Sequence, residues 1–354
     1  MKQPKPSSNH SIAIATNNGD IGGGEVMLLN IAKAIAQSGR TVTVIAPSQP
    51  SAIADAAMAA GFEVEVLPAK DRISWVRALR TWRKANPKQP LWCNGLLPAF
   101  ATSLMANRIV HLHQLPTGAL KTAAAVALAN SPTVLVPSAF MQRTFPQATV
   151  LPNWVPEVLP NRMPANAKNN NIRIGFIGRL TALKGIEVLA RALAIAANHG
   201  LEAQLVIAGE ARFSNAESDA LVESSLQALG QRVTYLGWTT PADFLGQVDF
   251  VVIPSIAEET FGLVVAEAMS ARVPFIISDA GALPEVAGRE HQHTVRSDDA
   301  TSLAFEIVRL TNQILDKSVD VKAKSDIAHE RWSTHFSPEV GAKNVASLLD
   351  SLGY

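Results

Sequence analysis

Two glutamates, Glu259 and Glu267, stand eight residues apart and enclose the largely apolar segment TFGLVVA. Apolar side chains recur at helical spacing from Phe261 onward, which predicts a helix with Glu267 on its second turn and Glu259 in the preceding loop. The free N–H groups at such a helix start, around Phe261, Gly262 and Leu263, favour an anionic ligand. Two solvated surface acids are the alternative on spacing alone, so this pattern by itself leaves the chemistry open.

Two cations, Arg179 and Lys184, flank a second loop in the sequence GRLTALKG. This loop leads from a predicted strand over 172–177 into a predicted helix. Both cations can therefore converge on one anion near a helix start, where backbone N–H groups add to the attraction. Solvated surface cations are the alternative, because exposed Lys and Arg are common.

A third polar loop, GDIGGGE, contains the adjacent glycines Gly22, Gly23 and Gly24 and precedes a predicted helix over 25–38. Glycines there let backbone N–H groups approach an anionic or hydroxyl-rich ligand closely. The letters match neither GxGxxG nor the lysine-bearing phosphate loop, which excludes a dinucleotide or ATP site of those types. A plain tight turn is the alternative.

His111 and His113 lie two residues apart on a predicted strand over 108–113, and therefore on the same side of it. A metal site would need a third ligand at a convincing spacing, and none follows. We therefore predict no metal here. A hydrogen-bonded core histidine is the alternative to a functional one.

Buried parallel strands should position these residues. Residues 249–254 and 273–278 are short apolar runs without alternation, typical of strands covered on both faces. With the helix over 261–271 between them they form a strand, helix, strand unit with a right-handed crossover. The loop bearing Glu259 thus leaves the carboxyl end of a strand, where open α/β sheets bind ligands.

The same pattern recurs along the chain. Further strands are predicted over 11–16, 41–47, 90–94, 133–137, 149–152, 205–209 and 233–237. Residues 156–171 are rich in Pro and Asn and read as a linker. The sequence therefore predicts two α/β domains, over 1–160 and 168–335, each with a doubly wound parallel sheet.

Composition limits the classes of function. The chain has 354 residues, 47% hydrophobic and 17% charged, and a formal net charge of +1, so nucleic acid is not a predicted partner. Cys93 is the only cysteine, which suits a reducing compartment. The polar first ten residues do not resemble a signal peptide, and no apolar run approaches the ~20 residues of a membrane span. A cytoplasmic protein is expected, with the inner membrane face as a further option.

Residues 70–88 raise that option because they hold seven Lys and Arg and one acid. Trp75, Leu79 and Trp82 fall on one face of a predicted helix. One interpretation is a membrane-surface helix that contacts anionic lipid. The alternative is an ordinary amphipathic helix with its tryptophans in the core and its arginines in solvent.

Taken together, four motifs resemble retaining GT-B glycosyltransferases, specifically glycosyltransferase family 4. They are GGGE in the first glycine loop, RIVHLHQLP at 108–116, GRLTALKG at 178–185, and the segment at 254–285 that contains PS, E-x7-E, EAM and GALPE. Two letters depart from the family pattern: Trp154 follows Asn153 where the family usually has Gly, and Gly209-Glu210 replaces an Asp-Gly or similar turn. The resemblance extends over nearly the whole chain.

The resemblance implies the GT-B fold, with two Rossmann-like domains facing a central cleft. The first would bind the acceptor and the second a nucleotide sugar, and a terminal helix over 338–354 would pack back on the first domain. The implied activity is retaining, metal-independent transfer of a hexose to a sugar, lipid-linked or small-molecule acceptor in glycan, glycolipid or glycoconjugate biosynthesis. No cofactor is implied, and the sequence lacks the Asp-x-Asp pair that carries a divalent ion in the other main glycosyltransferase architecture.

The resemblance also implies residue roles. It assigns catalytic contacts with the donor sugar to His113 and Glu259, donor diphosphate binding to Arg179, Lys184, Gly23 and Gly24, positioning of the sugar and phosphate to Phe261, Gly262 and Leu263, and ribose binding to Glu267. Three alternatives remain open: a nucleotide-sugar epimerase, a pyridoxal-dependent phosphorylase and a non-catalytic nucleotide-sugar-binding protein.

Overall fold

The computed structural model describes residues 11–161, 172–209 and 216–354. The predictions made on residues 1–10, on most of the linker and on the turn after Gly209 lie outside these ranges. The chain divides into two compact units. One comprises Met1–Trp154 with Pro338–Tyr354, and the other comprises Val155–Ser337.

The first unit is built on a seven-stranded sheet with the strand order β3-β2-β1-β4-β5-β6-β7. Its elements are β1 (Ser11–Ala15), α1 (Gly23–Gln37), β2 (Thr41–Pro47), α2 (Ala52–Ala59), β3 (Glu63–Leu67), α3 (Arg72–Ala85), β4 (Leu91–Asn94), α4 (Leu96–Ala101), β5 (Arg108–His111), α5 (Leu120–Leu128), β6 (Thr133–Val136), α6 (Ala139–Gln142) and β7 (Thr149–Val150).

The second unit is built on a six-stranded sheet with the order β10-β9-β8-β11-β12-β13. Its elements are β8 (Ile172–Ile177), α7 (Ile186–Asn198), β9 (Ala203–Ala208), α8 (Ala216–Gln227), β10 (Val233–Gly237), α9 (Pro241–Leu245), β11 (Phe250–Ile253), α10 (Leu263–Ser270), β12 (Phe275–Ser278), α11 (Leu283–Ala287), β13 (Thr294–Val295), α12 (Ala300–Leu315) and α13 (Val319–His335). The last helix of the chain, α14 (Pro338–Ser351), belongs to the first unit.

Every strand pair described in the two sheets is parallel, and β4, β5, β6, β11 and β12 are buried along their whole length. Ala13 of β1 stands opposite Thr43 on one side and Leu91 on the other. Helices cover both faces of such sheets because the crossovers between parallel strands are right-handed. The predicted doubly wound α/β architecture is confirmed.

Each sheet has one place where the chain reverses its direction of winding. In the first unit this switch point lies between β1 and β4, and in the second it lies between β8 and β11. The crevice beyond the carboxyl ends of two such strands is where open α/β sheets bind ligands. The predicted polar loops after β1, β8 and β11 all leave the sheet at these two points.

Element boundaries differ from the predictions by a few residues. The helix predicted over 261–271 spans Leu263–Ser270, because Gly262 adopts a left-handed conformation (φ 102°) and caps it. The helix predicted over 25–38 starts at Gly23, so two of the loop glycines lie in its first turn. Strand Glu63–Leu67 escaped prediction because it is an edge strand of alternating Glu and Val with little burial.

Trp154, one departure from the family pattern, has a packing role in the first unit. Its side chain is buried against Gly341 of α14, where an added Cβ would lie only 2.2 Å from the indole Cδ2. Its carbonyl accepts a hydrogen bond from Asn30 Nδ2 of α1 at 3.1 Å. The tryptophan therefore helps to hold α14 beside α1, with which it is in contact.

The predicted linker over 156–171 begins as packed chain. The Val155 N–H donates to the Phe336 carbonyl at 3.1 Å, and the Val158 N–H donates to Ser270 Oγ at 3.2 Å. Val155 and Val158 are both buried within the second unit. The described part of this segment is thus attached to the second unit, which its Pro and Asn content did not indicate.

The structure of helix α3 shows where the three apolar side chains of residues 70–88 lie. Trp75, Leu79 and Trp82 are buried in the core of the first unit. Trp82 Nε1 also donates to Glu65 Oε2 at 2.6 Å. These tryptophans therefore do not form a lipid-facing surface, and that part of the membrane interpretation is wrong.

Candidate active site

Two loops meet at the switch point of the second unit. One follows β8 and contains Arg179, a 3₁₀ turn at Ala182–Lys184 and the start of α7. The other follows β11 and leads into α10. The N–H groups of Ile256 and Ala257 both donate to the Leu183 carbonyl, at 2.9 and 3.1 Å. The two loops therefore form one rigid surface at the carboxyl edge of the sheet.

The central contact of this surface is an ion pair between Lys184 and Glu259. Lys184 Nζ lies 2.6 Å from Glu259 Oε1, and Ser255 Oγ donates to the same oxygen at 2.6 Å. The Ser255 hydroxyl is buried, and its carbonyl accepts from Ser278 Oγ at 2.6 Å. Within the described ranges no group donates to Glu259 Oε2, so this oxygen remains available to a ligand.

Two glycines allow the loops to approach this closely. Gly281 has φ +62°, and an added Cβ would lie 2.3 Å from the Glu259 carbonyl oxygen. That carbonyl accepts the Ala282 N–H at 2.8 Å, which holds the Glu259 backbone in place. Gly185 has φ +72°, and an added Cβ there would lie 1.8 Å from the Pro254 carbonyl oxygen. Side chains at either position would displace the ion pair.

Arg179 lies in the same loop as Lys184 but stands apart from the ion pair. Its side chain is exposed and makes no hydrogen bond or ion pair in the described part of the chain. The predicted convergence of the two cations on one anion is therefore not preformed. Arg179 is thus an exposed cation in the same loop as Lys184, which is held by Glu259.

The start of α10 supplies backbone donors next to Glu259. The first N–H groups of a helix have no intrahelical acceptor, and here they follow Gly262 directly. The Phe261 side chain is buried edge-to-face against Phe336, with ring centroids 5.3 Å apart. Phe261 therefore positions the turn through packing, and only its backbone is available for a ligand.

Glu267 lies on the second turn of α10, where the prediction put it. Its side chain is largely covered, and burial raises the pKa of its carboxyl to about 7. No cation or hydrogen-bond donor among the described residues pairs with its carboxylate. A buried acid with a raised pKa on a helix that starts beside the candidate site is a candidate for ligand contact.

At the switch point of the first unit, Gly24, Asn94 and His113 are joined by uncharged hydrogen bonds, while the nearby Glu25 carboxylate accepts from Thr16 Oγ1 at 3.3 Å and from the Gly22 N–H at 3.2 Å. Gly23 and Gly24 lie in the first turn of α1. Asn94, at the end of β4, donates through Nδ2 to the Gly24 carbonyl at 3.1 Å. His113 follows β5, and its Nε2 lies 2.7 Å from Asn94 Oδ1. An added Cβ on Gly24 would make van der Waals contact with the His113 ring at 3.5 Å.

This chain of contacts defines the tautomer of His113. A carbonyl only accepts hydrogen bonds, so the Asn94 amide must present its nitrogen to Gly24 and its oxygen to His113. His113 Nε2 then carries the proton. Burial lowers the pKa of His113 to about 4, so the ring is neutral near pH 7.

His111 differs from its neighbour in its surroundings. Its ring lies 4.1 Å from that of His113, centroid to centroid, but it is fully buried beside Trp92. Burial places the pKa of His111 well below its usual value. Within the described ranges, no three His, Cys, Asp or Glu side chains are arranged to hold a metal ion.

The comparisons with known proteins converge on one class. Residues 171–313 match the family model described as glycosyl transferases group 1. Over 133 residues the chain is 35% identical to an uncharacterized glycosyltransferase of Methanocaldococcus jannaschii, a match that covers 36% of this chain and 33% of that protein. Over 187 residues it is 34% identical to D-inositol 3-phosphate glycosyltransferase of Corynebacterium jeikeium, covering 51% and 43%. The chain thus spans less than half the length of either curated relative.

A solved structure resembles the whole chain. Anabaena HepE, in complex with UDP and glucose, has a TM-score of 0.81 and 21% identity, covering 96% of this chain and 99% of its own. This likeness concerns the fold, and it confirms the predicted GT-B fold class. The family model covers the loops with Arg179, Lys184, Glu259 and Glu267, all of which lie within 171–313.

The structure also adds two residues that the sequence reasoning left without a role. Asn94 orients His113, and Ser255 orients Glu259. Asn94 ends a buried strand and Ser255 stands two residues after one, and polar residues beyond buried strands are the signal that identified the other site residues. In the described part of the chain no helix is long and apolar enough to cross a bilayer.

Proposed function

We propose that this protein is a retaining, metal-independent glycosyltransferase that moves a hexose from a nucleotide-diphosphate sugar to an acceptor hydroxyl. The observation that carries the proposal is the Lys184–Glu259 ion pair beside the free N–H groups of α10, at the switch point of the unit that matches the family model. A fixed cation, a fixed acid and helix amides suit a ligand that carries both phosphates and hydroxyls.

In this proposal Lys184 exchanges partners when the donor binds. In the unliganded protein its charge is neutralised by Glu259 at 2.6 Å. A diphosphate is a stronger partner, and Arg179 is an exposed cation in the same loop that can join it. Gly23 and Gly24 add backbone donors for the phosphates. Protein cations then stabilise the leaving diphosphate, which is the charge that a metal ion neutralises in other enzymes.

The release of Lys184 would free Glu259 to accept hydrogen bonds from sugar hydroxyls. Ser255 would keep the carboxylate in the same orientation during this exchange. Glu267 would accept from the ribose hydroxyls, and the α10 amides near Gly262 and Leu263 would hold the sugar and the β-phosphate. His113, neutral and fixed by Asn94, would hydrogen-bond the transferred sugar.

The acceptor in this proposal is a sugar, a lipid-linked sugar or a small molecule with a free hydroxyl. The named relatives support this class, since one acts on D-inositol 3-phosphate by its name and the solved neighbour binds UDP and glucose. Those ligands belong to those proteins. For this chain they define the first compounds to test.

The test is a thermal-shift screen of the purified full chain with UDP, GDP and ADP sugars, followed by transfer assays with the stabilising donor. We expect one nucleotide class to raise Tm, since a ligand that binds only the folded state stabilises it. Transfer to an added acceptor should persist in excess chelator. Failure of every nucleotide sugar to stabilise the protein, or transfer that returns only with magnesium or manganese, would reject the proposal.

An epimerase on the same fold is the main alternative. It would share the phosphate site but would convert the donor without an acceptor. Product analysis in the absence of acceptor separates the two, because an epimerase accumulates an isomeric nucleotide sugar and a transferase does not. Stabilisation without any conversion of donor would instead favour a nucleotide-sugar-binding protein.

A further inference from the structure

The charges of the chain are segregated. Residues 72–156 contain nine Lys and Arg and no Asp or Glu, which leaves 22 of the 31 basic residues and all 30 acids for the rest. The net charge of the whole chain is only +1, but residues 72–156 are strongly basic and the remaining residues carry all of the acids. This segment includes the elements from α3 to β7 of the first unit.

Helices α3, α4 and α5 form a continuous layer on one face of the first sheet. They connect strands that succeed one another in the same direction, from β3 across to β6, so right-handed crossovers place them on the same face. Helix α3 contacts α4, and α4 contacts α5. We call the outward side of this layer the α3–α5 face.

The α3–α5 face combines cations with exposed apolar side chains. Its exposed cations are Arg72, Arg77, Arg80, Lys84 and Lys121. Ile73 is 66% exposed, Leu120 at the start of α5 53%, and Leu104 in the turn after α4 68%. Ile73 lies at helical spacing from the cations Arg77, Arg80 and Lys84, on the side of α3 opposite its buried tryptophans. Cations and apolar side chains together on one surface are typical of proteins that rest on a bilayer.

Two acids next to this face, Asp71 and Glu65, already accept hydrogen bonds within the first unit. Asp71 caps α3 by accepting from the Ser74 N–H at 2.7 Å. Glu65 accepts from Trp82 Nε1. The exposed cations of α3 and α5 therefore have few nearby carboxylates to neutralise them.

Two arginines of the segment do not belong to this surface. Arg83 is buried and donates to four carbonyls, those of Asn86, Pro87, Gln89 and Ala106. Arg108 is fully buried and donates to the carbonyls of Ala99 and Ala129. The guanidinium groups of both arginines donate to backbone carbonyls inside the first unit. Only the exposed cations are therefore available to an anionic partner.

We propose that the α3–α5 face is a docking surface for a bilayer that contains anionic lipid. Charge complementarity selects an anionic partner, and the exposed Ile73, Leu104 and Leu120 select a bilayer over a soluble polyanion, because only a bilayer offers an apolar phase beneath its charge. The surface differs from the one first predicted: the tryptophans of α3 face inward, and the opposite side of the helix faces the lipid. The proposal does not depend on glycosyl transfer.

Vesicle co-sedimentation of the full chain tests this directly. Binding should require phosphatidylglycerol, added at about 30 mol% to phosphatidylcholine, and should weaken as salt rises because the surface charges are screened. Arg77→Gln with Lys84→Gln should reduce partitioning by about 30-fold, the effect of two cations near an anionic leaflet. Ile73→Ser should reduce it by several-fold at a salt concentration where wild type still binds.

The matched control changes the same number of exposed cations on other helices of the same unit. Lys33→Gln with Lys343→Gln, on α1 and α14, should alter partitioning less than about twofold. Thermal melts of each variant check that it is folded. Equal losses in both double variants, binding to pure phosphatidylcholine, or binding to a soluble polyanion such as polyphosphate without any vesicle binding would overturn the proposal.

Discussion

The two switch points of this molecule are built alike, but only the second holds an ion pair. We call the second the charged switch point, and we call the first neutral for the uncharged hydrogen bonds around His113, although Glu25 lies in the same turn of α1. In the first unit, between β1 and β4, Gly24, Asn94 and His113 are joined by uncharged hydrogen bonds, and His113 is neutral. In the second, between β8 and β11, Lys184 and Glu259 form an ion pair. The uncharged contacts join the start of α1 to Asn94 at the end of β4, whereas the ion pair joins the loop after β8 to the loop after β11.

The difference follows from what surrounds each pair. Asn94 and His111, which both contact His113, are uncharged, and burial disfavours the charged form of His113. Glu259 retains a cation and a hydroxyl as partners, and Arg179 lies in the same loop as Lys184. One topology therefore supports two kinds of contact: uncharged hydrogen-bonding groups around His113, which suit hydroxyls, and an ion pair, which suits a phosphate and a sugar.

The largest loss of activity is expected when the charge of Glu259 is removed. Glu259→Gln keeps its size, so donor binding should remain and could strengthen, since Lys184 loses its internal partner. We expect kcat to fall by about 10²-fold or more, as for a lost preorganised electrostatic contact. Steady-state kinetics with donor and acceptor saturating, together with calorimetry of donor binding, measure both quantities.

The complementary variant is Lys184→Gln, which removes the cation of the same ion pair. It should weaken donor binding and leave Glu259 without its cation, so both the apparent affinity and kcat should fall. A Glu259→Gln enzyme that turned over normally once saturated would remove Glu259 from the reacting sugar. The charged switch point would then be a phosphate site alone.

A slightly smaller free-energy change is expected when the backbone beside Glu259 is displaced without changing any charge. Gly281→Ala forces a Cβ to within 2.3 Å of the Glu259 carbonyl oxygen, at φ +62°. We expect a loss of about 2–3 kcal/mol in stability from backbone strain and steric overlap. Chemical denaturation followed by tryptophan fluorescence measures the loss.

Gly200→Ala is the matched control within the same unit. Gly200 also has a positive φ, +86°, but no atom lies within 4 Å of an added Cβ. It should cost only the conformational preference, about 1 kcal/mol. Equal losses at both positions would mean that the loop with Glu259 moves freely to accept the methyl group, and that the ion pair is not held by close packing.

The charged switch point was more predictable than the neutral one, for a physical reason. Lys184, Glu259 and Glu267 stand out by type, because ionisable residues beside buried strands are uncommon. Asn94, at the end of the apolar strand LWCN, is uncharged and does not stand out by residue type. Its role depends on His113, which is 19 residues away along the chain. Local patterns showed the strands and their polar ends, but not which ends meet.

The same limit explains the predictions that needed correction. The pattern of α3 correctly predicted that Trp75, Leu79 and Trp82 share a face, but periodicity does not say whether that face meets core or lipid. The linker composition did not show that Val158 would be buried. In both cases the outcome depends on the packing partner, which is distant in sequence.

A smaller effect is expected in the neutral switch point. Asn94→Ala removes the acceptor of His113 Nε2 and should reduce turnover by about tenfold, with donor binding unchanged. Asn94→Asp should instead raise the pKa of His113 above its value of about 4, because a carboxylate would face the ring. Turnover of this variant should then fall as pH drops below about 6.5, where the ring gains a proton.

Nuclear magnetic resonance of the His113 ring measures the pKa in both proteins. Wild type should show no titration of His113 between pH 5 and pH 8, given a pKa of about 4. A pKa that is the same in Asn94→Asp and in wild type would mean that Asn94 does not contact the ring in solution. The neutral switch point would then lack its positioning residue.

The smallest effect is expected for Glu267. This acid lies in the second unit, as Glu259 does, but no described cation or hydrogen-bond donor pairs with its carboxylate. Burial raises its pKa from 4.5 to about 7. A raised acid pKa stabilises the folded protein at low pH. This stability declines as pH rises from the unfolded value of about 4.5 and is lost once pH passes the folded value near 7.

Glu267→Gln removes the ionisation, so it should stabilise the unliganded protein above pH 7 and have little effect near pH 5. We expect Tm to rise by roughly 3–5 °C at pH 8. The donor KM should also rise several-fold with kcat nearly intact, because ribose contacts are equal in ground and transition states. Glu290→Gln, an exposed acid of the same unit, is the control and should leave Tm unchanged at both pH values. A Glu267→Gln protein with the same Tm difference from wild type at pH 5 and pH 8 would show that the carboxylate is well solvated, and the charged switch point would then end at Lys184 and Glu259.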